Sequence, residues 1–336
     1  LDSYRWALYM NAASINAGSG TWFNEEKLEQ IKQAQSNPKM KTMFENPQGR
    51  WEIWDVNSLL PIANRDWLRT TFGNGFSQEH NVSVNGGNER LRYYFSGNFL
   101  QRDGLLKYGT DKRSRYTVTS KVDAQITSWA KLSYNMRFAR TDYKQPTMMD
   151  GLYYHDMCRY WPIIPMYDPN GHLVVTGSNP GNLINGGVTN DQTDVNSHQL
   201  VLQLTPLKGL VINAELNYSI TNYNQHVDWQ TTYGYDVNNV PFVFSNPNNA
   251  VKEYAKKNNY FNPNIWAEYS FTLFNDHNFK IMGGYQSEEM RQRWFQGQQF
   301  GIIANLPTLH TTATKPSVDG KNDEWATMGM FGRLNY

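Results

Sequence analysis

Apolar and polar residues alternate along most of the chain with a period of two, the spacing that gives a β-strand two different faces. In the stretch 78–101, His80, Val82 and Val84 alternate with Asn81, Ser83 and Asn85. Further on, Leu91, Tyr93, Phe95, Gly97 and Phe99 alternate with Arg92, Tyr94, Ser96 and Asn98. Between the two runs, Asn85-Gly86-Gly87-Asn88 tolerates the positive φ of a tight reversal. The pattern predicts a hairpin that turns at Gly86-Gly87.

The same pattern returns down the chain. Tyr116, Val118, Val122, Ala124 and Ile126 lead to a turn at Ser128-Trp129, and Leu132, Tyr134, Met136 and Phe138 lead back. Leu200, Leu202 and Leu204 reach a turn at Lys208-Gly209, followed by Leu210, Ile212, Ala214, Leu216, Tyr218 and Ile220. Ile265, Ala267, Tyr269 and Phe271 reach one near Asp276-His277, and Phe279, Ile281, Gly283 and Tyr285 return. A last strand is predicted over 324–336.

Nine strands result, and at 116–138 the alternation holds over about ten residues per strand, the length that crosses an outer membrane at a tilt. Every second connection is short. Most of the others are long: 102–112 is a plain connection, and 141–196, 221–259 and 291–323 are predicted as excursions. Short turns at one end and large loops at the other describe an all-β fold, an antiparallel transmembrane β-barrel segment with long extracellular loops. The apolar members would then meet lipid. Arg92, Asn98, Asn135, Arg137, Glu215 and Asn217 would be the lumen-facing polar positions. A passive porin shares this layout. A soluble β-rich glycan-binding protein is a third reading, separated by whether the apolar faces meet lipid or a protein core.

Residues 1–75 are the least β-like. Helices are predicted near 3–11 and from Asn24, an N-cap with Glu25 and Glu26 in its first turn, and one more helical turn at Asp66-Trp67-Leu68. With few apolar residues, this part reads as an extracellular excursion of the barrel domain, which itself takes 76–336.

Composition narrows the classes. Mean hydropathy is −0.67, and no apolar run approaches the roughly 20 residues of a membrane helix, which excludes a helical membrane protein and leaves a barrel open. Lys+Arg 31 against Asp+Glu 30 provides no electrostatic case for nucleic acid. One cysteine, Cys158, permits no internal disulfide and fits no metal-ligand spacing. Leu1 is not a start methionine, so the sequence reads as a mature or internal fragment.

Catalytic motifs (HExxH, GxSxG, a P-loop, a dinucleotide fingerprint) are absent from the sequence, and no enzyme activity, cofactor or metal is expected. Neighbours His155 and Asp156 would point apart on a strand, and Asp168, Asn170 and Gly171 read as a turn rather than a calcium loop. The 14% aromatic content is more informative. Tyr153, Tyr154, Tyr160, Trp161 and Tyr167 crowd one long loop, and Trp229, Tyr233 and Tyr235 the next. Such rings stack on sugars or anchor proteins, so these eight are the candidate substrate-binding residues. Packing of the loops against one another is the alternative.

Several segments resemble one family. Asp66-Trp67-Leu68, His80-Asn81-Val82-Ser83-Val84-Asn85-Gly86-Gly87-Asn88-Glu89, Tyr93-Tyr94-Phe95-Ser96 and Gly104 are similar to a string in SusC/RagA-type TonB-dependent outer-membrane transporters. Arg115-Tyr116, the run PIIPMYDPNG at 162–171 and Phe331-Gly332-Arg333-Leu334-Asn335-Tyr336 also look like family segments. The resemblance implies part of a 22-stranded plugged barrel in a Gram-negative outer membrane, of the kind found in Bacteroidetes. It implies TonB energisation, a SusD-like surface lipoprotein as lid, and an oligosaccharide or peptide as cargo. The loop aromatics would then serve the lid or the cargo. The plug, the TonB-contacting segment and the later strands have no counterpart here, so the resemblance covers a middle portion of the barrel.

Overall fold

The computed structural model describes residues 2–54, 57–149, 160–176, 180–311 and 315–336. Nine strands build one antiparallel sheet. They are β1 (Ser77–Gly87), β2 (Leu91–Asp103), β3 (Lys112–Thr127), β4 (Ala130–Pro146), β5 (Val188–Leu207), β6 (Leu210–Trp229), β9 (Ala250–Leu273), β10 (His277–Phe300) and β11 (Ser317–Asn335). They lie side by side in chain order, interrupted only by a separate hairpin of β7 (Thr232–Tyr235) and β8 (Pro241–Ser245). The sheet is open, with β1 and β11 at its edges.

Turn chemistry closes the short connections. At β5–β6, Gly209 adopts φ +84°, and a Cβ there would fall 2.2 Å from the Ser270 carbonyl oxygen. Phe274 and Asn275 both take positive φ in the three-residue turn between β9 and β10, as a tight hairpin reversal demands. The first hairpin turns later than expected. β1 runs through Gly86-Gly87, and the reversal falls on 88–90 because the Asn88 side chain accepts from the Arg90 and Leu91 amides at 2.8 and 2.9 Å.

Strand length departs further from expectation. β5 and β6 are 20 residues long, and β9 and β10 are 24. Much of the expected excursions at 141–196, 221–259 and 291–323 is therefore strand. On β6 the face carrying Leu210 to Ile220 continues as Asn222, Asn224, His226 and Asp228. Apolar alternation stops partway along these strands, while the hydrogen-bonded ladder needs only backbone and continues beyond it.

Helices gather at the long-loop end. α1 (Ser3–Asn16), α2 (Glu25–Ser36) and α3 (Trp67–Thr71) begin at Asp2, Asn24 and Asp66, whose side chains accept from Arg5, Lys27 and Arg69 amides. α4 (Pro180–Asn185) precedes β5. Ala7, Phe23, Ile31, Leu60 and Ile62 form a core completed by Ile163 from the β4–β5 connection. Met43 and Trp67 form a second with Ile164, Met166, Val174 and Leu183. Backbone bonds from Ala63 to Ile163 and from Arg65 to Pro162, both 2.8 Å, tie the two segments together. The N-terminal stretch thus shares both its cores with residues a hundred positions away. No helix among the described residues is long and apolar enough to cross a membrane, which says nothing of strands.

Candidate functional site

The strand registers fix which side chains share a face. Leu132 pairs with Ala124 and Leu202, Leu200 with Leu216, and Ile265 with Ala214 and Tyr285. Following those pairs across the sheet, Val82, Phe95, Val118, Tyr134, Leu216, Ile281 and Met330 fall on one face. None of them packs into a core, and exposure reaches 76% at Val82 and 88% at Met330. Contiguous apolar surface of this extent is untenable in water. At about 3.3 Å per residue and a tilt of about 40°, the alternating run spans roughly 25 Å, the height of an outer-membrane apolar band.

The opposite face carries all six expected polar positions. Arg92 pairs in register with Asp123, and Asn98 donates to Glu79 at 2.8 Å. Asn135, Arg137, Glu215 and Asn217 follow on β4 and β6. Asn135 donates to Gln199 at 2.8 Å and Gln199 to Glu215 at 2.6 Å. Asn217 donates to Glu215 at 2.9 Å and to Asn262 at 3.2 Å, and Asn264 donates to the same Asn262 oxygen at 3.1 Å. A continuous amide–carboxylate ladder therefore crosses β4, β5, β6 and β9. Gln199, Asn262 and Asn264 were missed because each lies just beyond an apolar run; extending the two-residue alternation by a step or two would have reached them.

Above the apolar band the same face stays polar. Tyr143 donates to Asp111 at 3.1 Å, and Tyr223 and Gln225 donate to Asp191 at 2.6 and 2.9 Å. Tyr143, Asp111, Tyr223 and Asp191 edge a cleft of about 590 Å³ that also contains Arg102, Asp103 and Arg113. None was singled out from sequence, since they sit in stretches read as loop.

The loop aromatics have varied surroundings. Tyr153 and Tyr154 lie outside the described residues. Trp161 sits among Trp6, Trp22 and Trp54, with ring centres 5.3, 5.3 and 4.9 Å away. Tyr160 packs on Trp67 at 4.7 Å and accepts from Thr176 at 2.6 Å. Tyr235 stacks on His172 at 3.8 Å and lines a second cleft of about 720 Å³ with Arg50, Trp54 and Asp168. Tyr167 and Tyr233 are each 51% exposed, and Trp229 at the end of β6 is half-buried. Internal packing thus engages Tyr160, Trp161 and Tyr235. The Asp168 side chain accepts from the Asn170 and His172 amides, both 2.9 Å, which is the turn expected there.

Comparison with known proteins follows this geometry. No protein-family profile matches the chain. It is 21% identical over 305 residues to TonB-dependent receptor P3 of Formosa agariphila, covering 85% of this chain and 29% of that protein. It is 21% identical over 292 residues to TonB-dependent receptor P26 of the same organism, covering 83% and 28%. Its backbone matches the RagAB peptide importer in the open-open state with a TM-score of 0.70 at 18% identity, covering 98% of this chain and 37% of that one. The closed-closed state matches with a TM-score of 0.66 at 19% identity, covering 81% and 31%. The chain is similar to TonB-dependent receptors in sequence and SusC/RagA-like in its sheet. It spans less than a third of the length of its curated relatives. The SusC/RagA-like sheet belongs in the outer membrane of a Gram-negative bacterium. The matched proteins are named as receptors and importers, in keeping with a chain that carries no catalytic motif.

Proposed function

We propose that this chain forms part of the wall and the extracellular rim of an active nutrient importer, one that takes up an oligosaccharide or a peptide. The observation that carries the reading is the division of one sheet into an exposed apolar face and a face bearing a continuous polar ladder. A soluble glycan-binding protein would cover the apolar face with a core. Here that face is bare, while the buried apolar clusters lie out at the long-loop end.

The open edges at β1 and β11 leave backbone donors and acceptors without partners, a condition hydrocarbon does not tolerate. Further strands closing a 22-stranded barrel would satisfy them. A plug inside such a barrel would rest on the polar ladder, and TonB would act through that plug. The extracellular excursions, stiffened by two shared cores, offer a firm surface for a SusD-like lipoprotein lid. The half-exposed Tyr167 and Tyr233 are the loop aromatics best placed for lid or cargo contact.

Import by the full-length protein tests this reading. Cells expressing it should accumulate labelled oligomer only while TonB and the proton gradient are intact, and pull-down should retain a surface lipoprotein. Uptake that persists after TonB deletion would leave a passive porin instead.

A further inference from the structure

Arg102 on β2 and Arg113 on β3 are register partners on the polar face. Like charges placed directly opposite in a sheet repel, and such a pair normally recruits carboxylates. Neither guanidinium forms a hydrogen bond or ion pair among the described residues. Three acids share their cleft, Asp103, Asp111 and Asp191; their bonds come from Gln101, from the Tyr143 hydroxyl, and from Tyr223 and Gln225, and none bonds either guanidinium. Two residues along β3 on the same face, the Nε of Arg115 is buried with no partner. Arg102 and Arg113 thus make no direct contact with a carboxylate among the described residues, and the buried Nε of Arg115 has no partner.

Their height on the sheet points to a ligand from outside. Residues beside them on the lipid-side face are Gln101, Asp103, Lys112 and Ser114, all polar, so the cluster stands above the apolar band. The polar-face cations lower on these strands are Arg92, Lys121, Lys131 and Arg137, at membrane level; of these Lys131 is already answered by Asp123 at 3.7 Å. Arg102 and Arg113 instead open onto the 590 Å³ cleft at the loop end, large enough for one or two residues of an oligomer.

We propose that Arg102 and Arg113, backed by Arg115, form an oxyanion subsite that takes a carboxylate of the cargo at the entrance. The proposal rests on reading this face as an import path. Guanidinium forks meet a carboxylate through two parallel N–H···O bonds, and a cross-strand pair presents two such forks to one anion. Tyr143 and Tyr223 supply ring faces beside it. A terminal carboxylate of a peptide and a uronate carboxylate of a sugar share this chemistry.

Calorimetry on the full-length protein in detergent, at low ionic strength, tests it with matched probes. One pair is a glutamate-ended tetrapeptide and its fully amidated twin, the other tetragalacturonate and maltotetraose. The native protein should prefer the acidic member of one pair by tenfold or more, and the responding pair identifies the source of the carboxylate. R102Q/R113Q should abolish that preference while leaving the neutral twin's affinity unchanged. R102K/R113K, which keeps the charge and is used alone should the glutamine pair not fold, should reduce the preference several-fold by removing the fork. Equal affinity for acidic and neutral probes in the native protein would overturn the subsite. So would an unchanged preference in the variants, or lowered stability of the variants with unchanged probe affinity, which would assign the arginines to an acid elsewhere in the protein. Detergent binding requires no TonB, so energised import without acid preference sinks the subsite alone, and acid preference without import sinks only the transport reading.

Discussion

Trp161 meets Trp54 edge to face, ring centres 4.9 Å apart and planes at 79°. The contact joins the β4–β5 connection to the N-terminal excursion, more than a hundred residues earlier, and Trp6 and Trp22 close around the same indole.

Replacing that hub by alanine removes several aromatic contacts at once. Trp161→Ala should loosen the excursions by about 2–4 kcal/mol, the scale of a large aromatic truncation in a partly buried site. Hydrogen exchange should speed up in α1, α2 and 160–176 while the β-sheet amides stay protected. Unaltered exchange in the helices, together with weakened lid or cargo binding, would mean that Trp161 serves a partner rather than the fold.

Neighbouring positions on β6 should respond oppositely to charge. Leu216 lies on the apolar face and Asn217 on the polar ladder, within reach of Glu215. Leu216→Arg should cost on the order of 2–4 kcal/mol in a lipid-refolded full-length barrel, and Asn217→Arg under about 1 kcal/mol. Similar costs at the two sites would refute the assignment of faces.

Lys27 makes the helical excursion pH-sensitive. Its side chain is buried, donates to the Leu60 carbonyl at 2.9 Å and lies 4.7 Å from the Phe44 ring centre. Burial draws its pKa from 10.5 down to about 8, with Glu26 opposing. Between those values the unfolded chain binds the proton and the folded one releases it, so stability rises with pH across this window. Below it both forms are charged and this group adds no slope. Carbon-13 NMR of labelled lysine should show Lys27 titrating near 8, and Lys27→Met should remove the stability rise. A lysine set that titrates uniformly near 10.5 would contradict it.

Gly209 tests the short-turn end. With φ +84° and the Ser270 carbonyl 2.2 Å from where a Cβ would stand, Gly209→Val should cost at least about 1–2 kcal/mol. The expected readout is a lower folded yield of the full-length barrel with native-like spectra in the fraction that folds. An unchanged yield and unfolding midpoint would show that the turn relaxes freely.

A two-residue alternation is a local property, and the sequence by itself determined what such a property can: nine strands, three of the four short turns, and the faces of Arg92, Asn135 and Asn217. The N-cap at Asn24 was legible for the same reason, since a cap bonds an amide two or three residues away. Only the tertiary structure decided the rest. Beyond the lipid both faces of a strand are polar, so nothing in the sequence distinguishes the upper parts of β5, β6, β9 and β10 from loop; their neighbours' backbone ladders hold them extended. The partnership of Ile163 with Phe23 and Ile31, the tryptophan cluster around Trp161 and the facing of Arg102 by Arg113 likewise depend on which distant segments register brings together. Contacts across tens to a hundred and more positions leave no periodic trace in one chain, because neither partner's immediate neighbours need change to allow them.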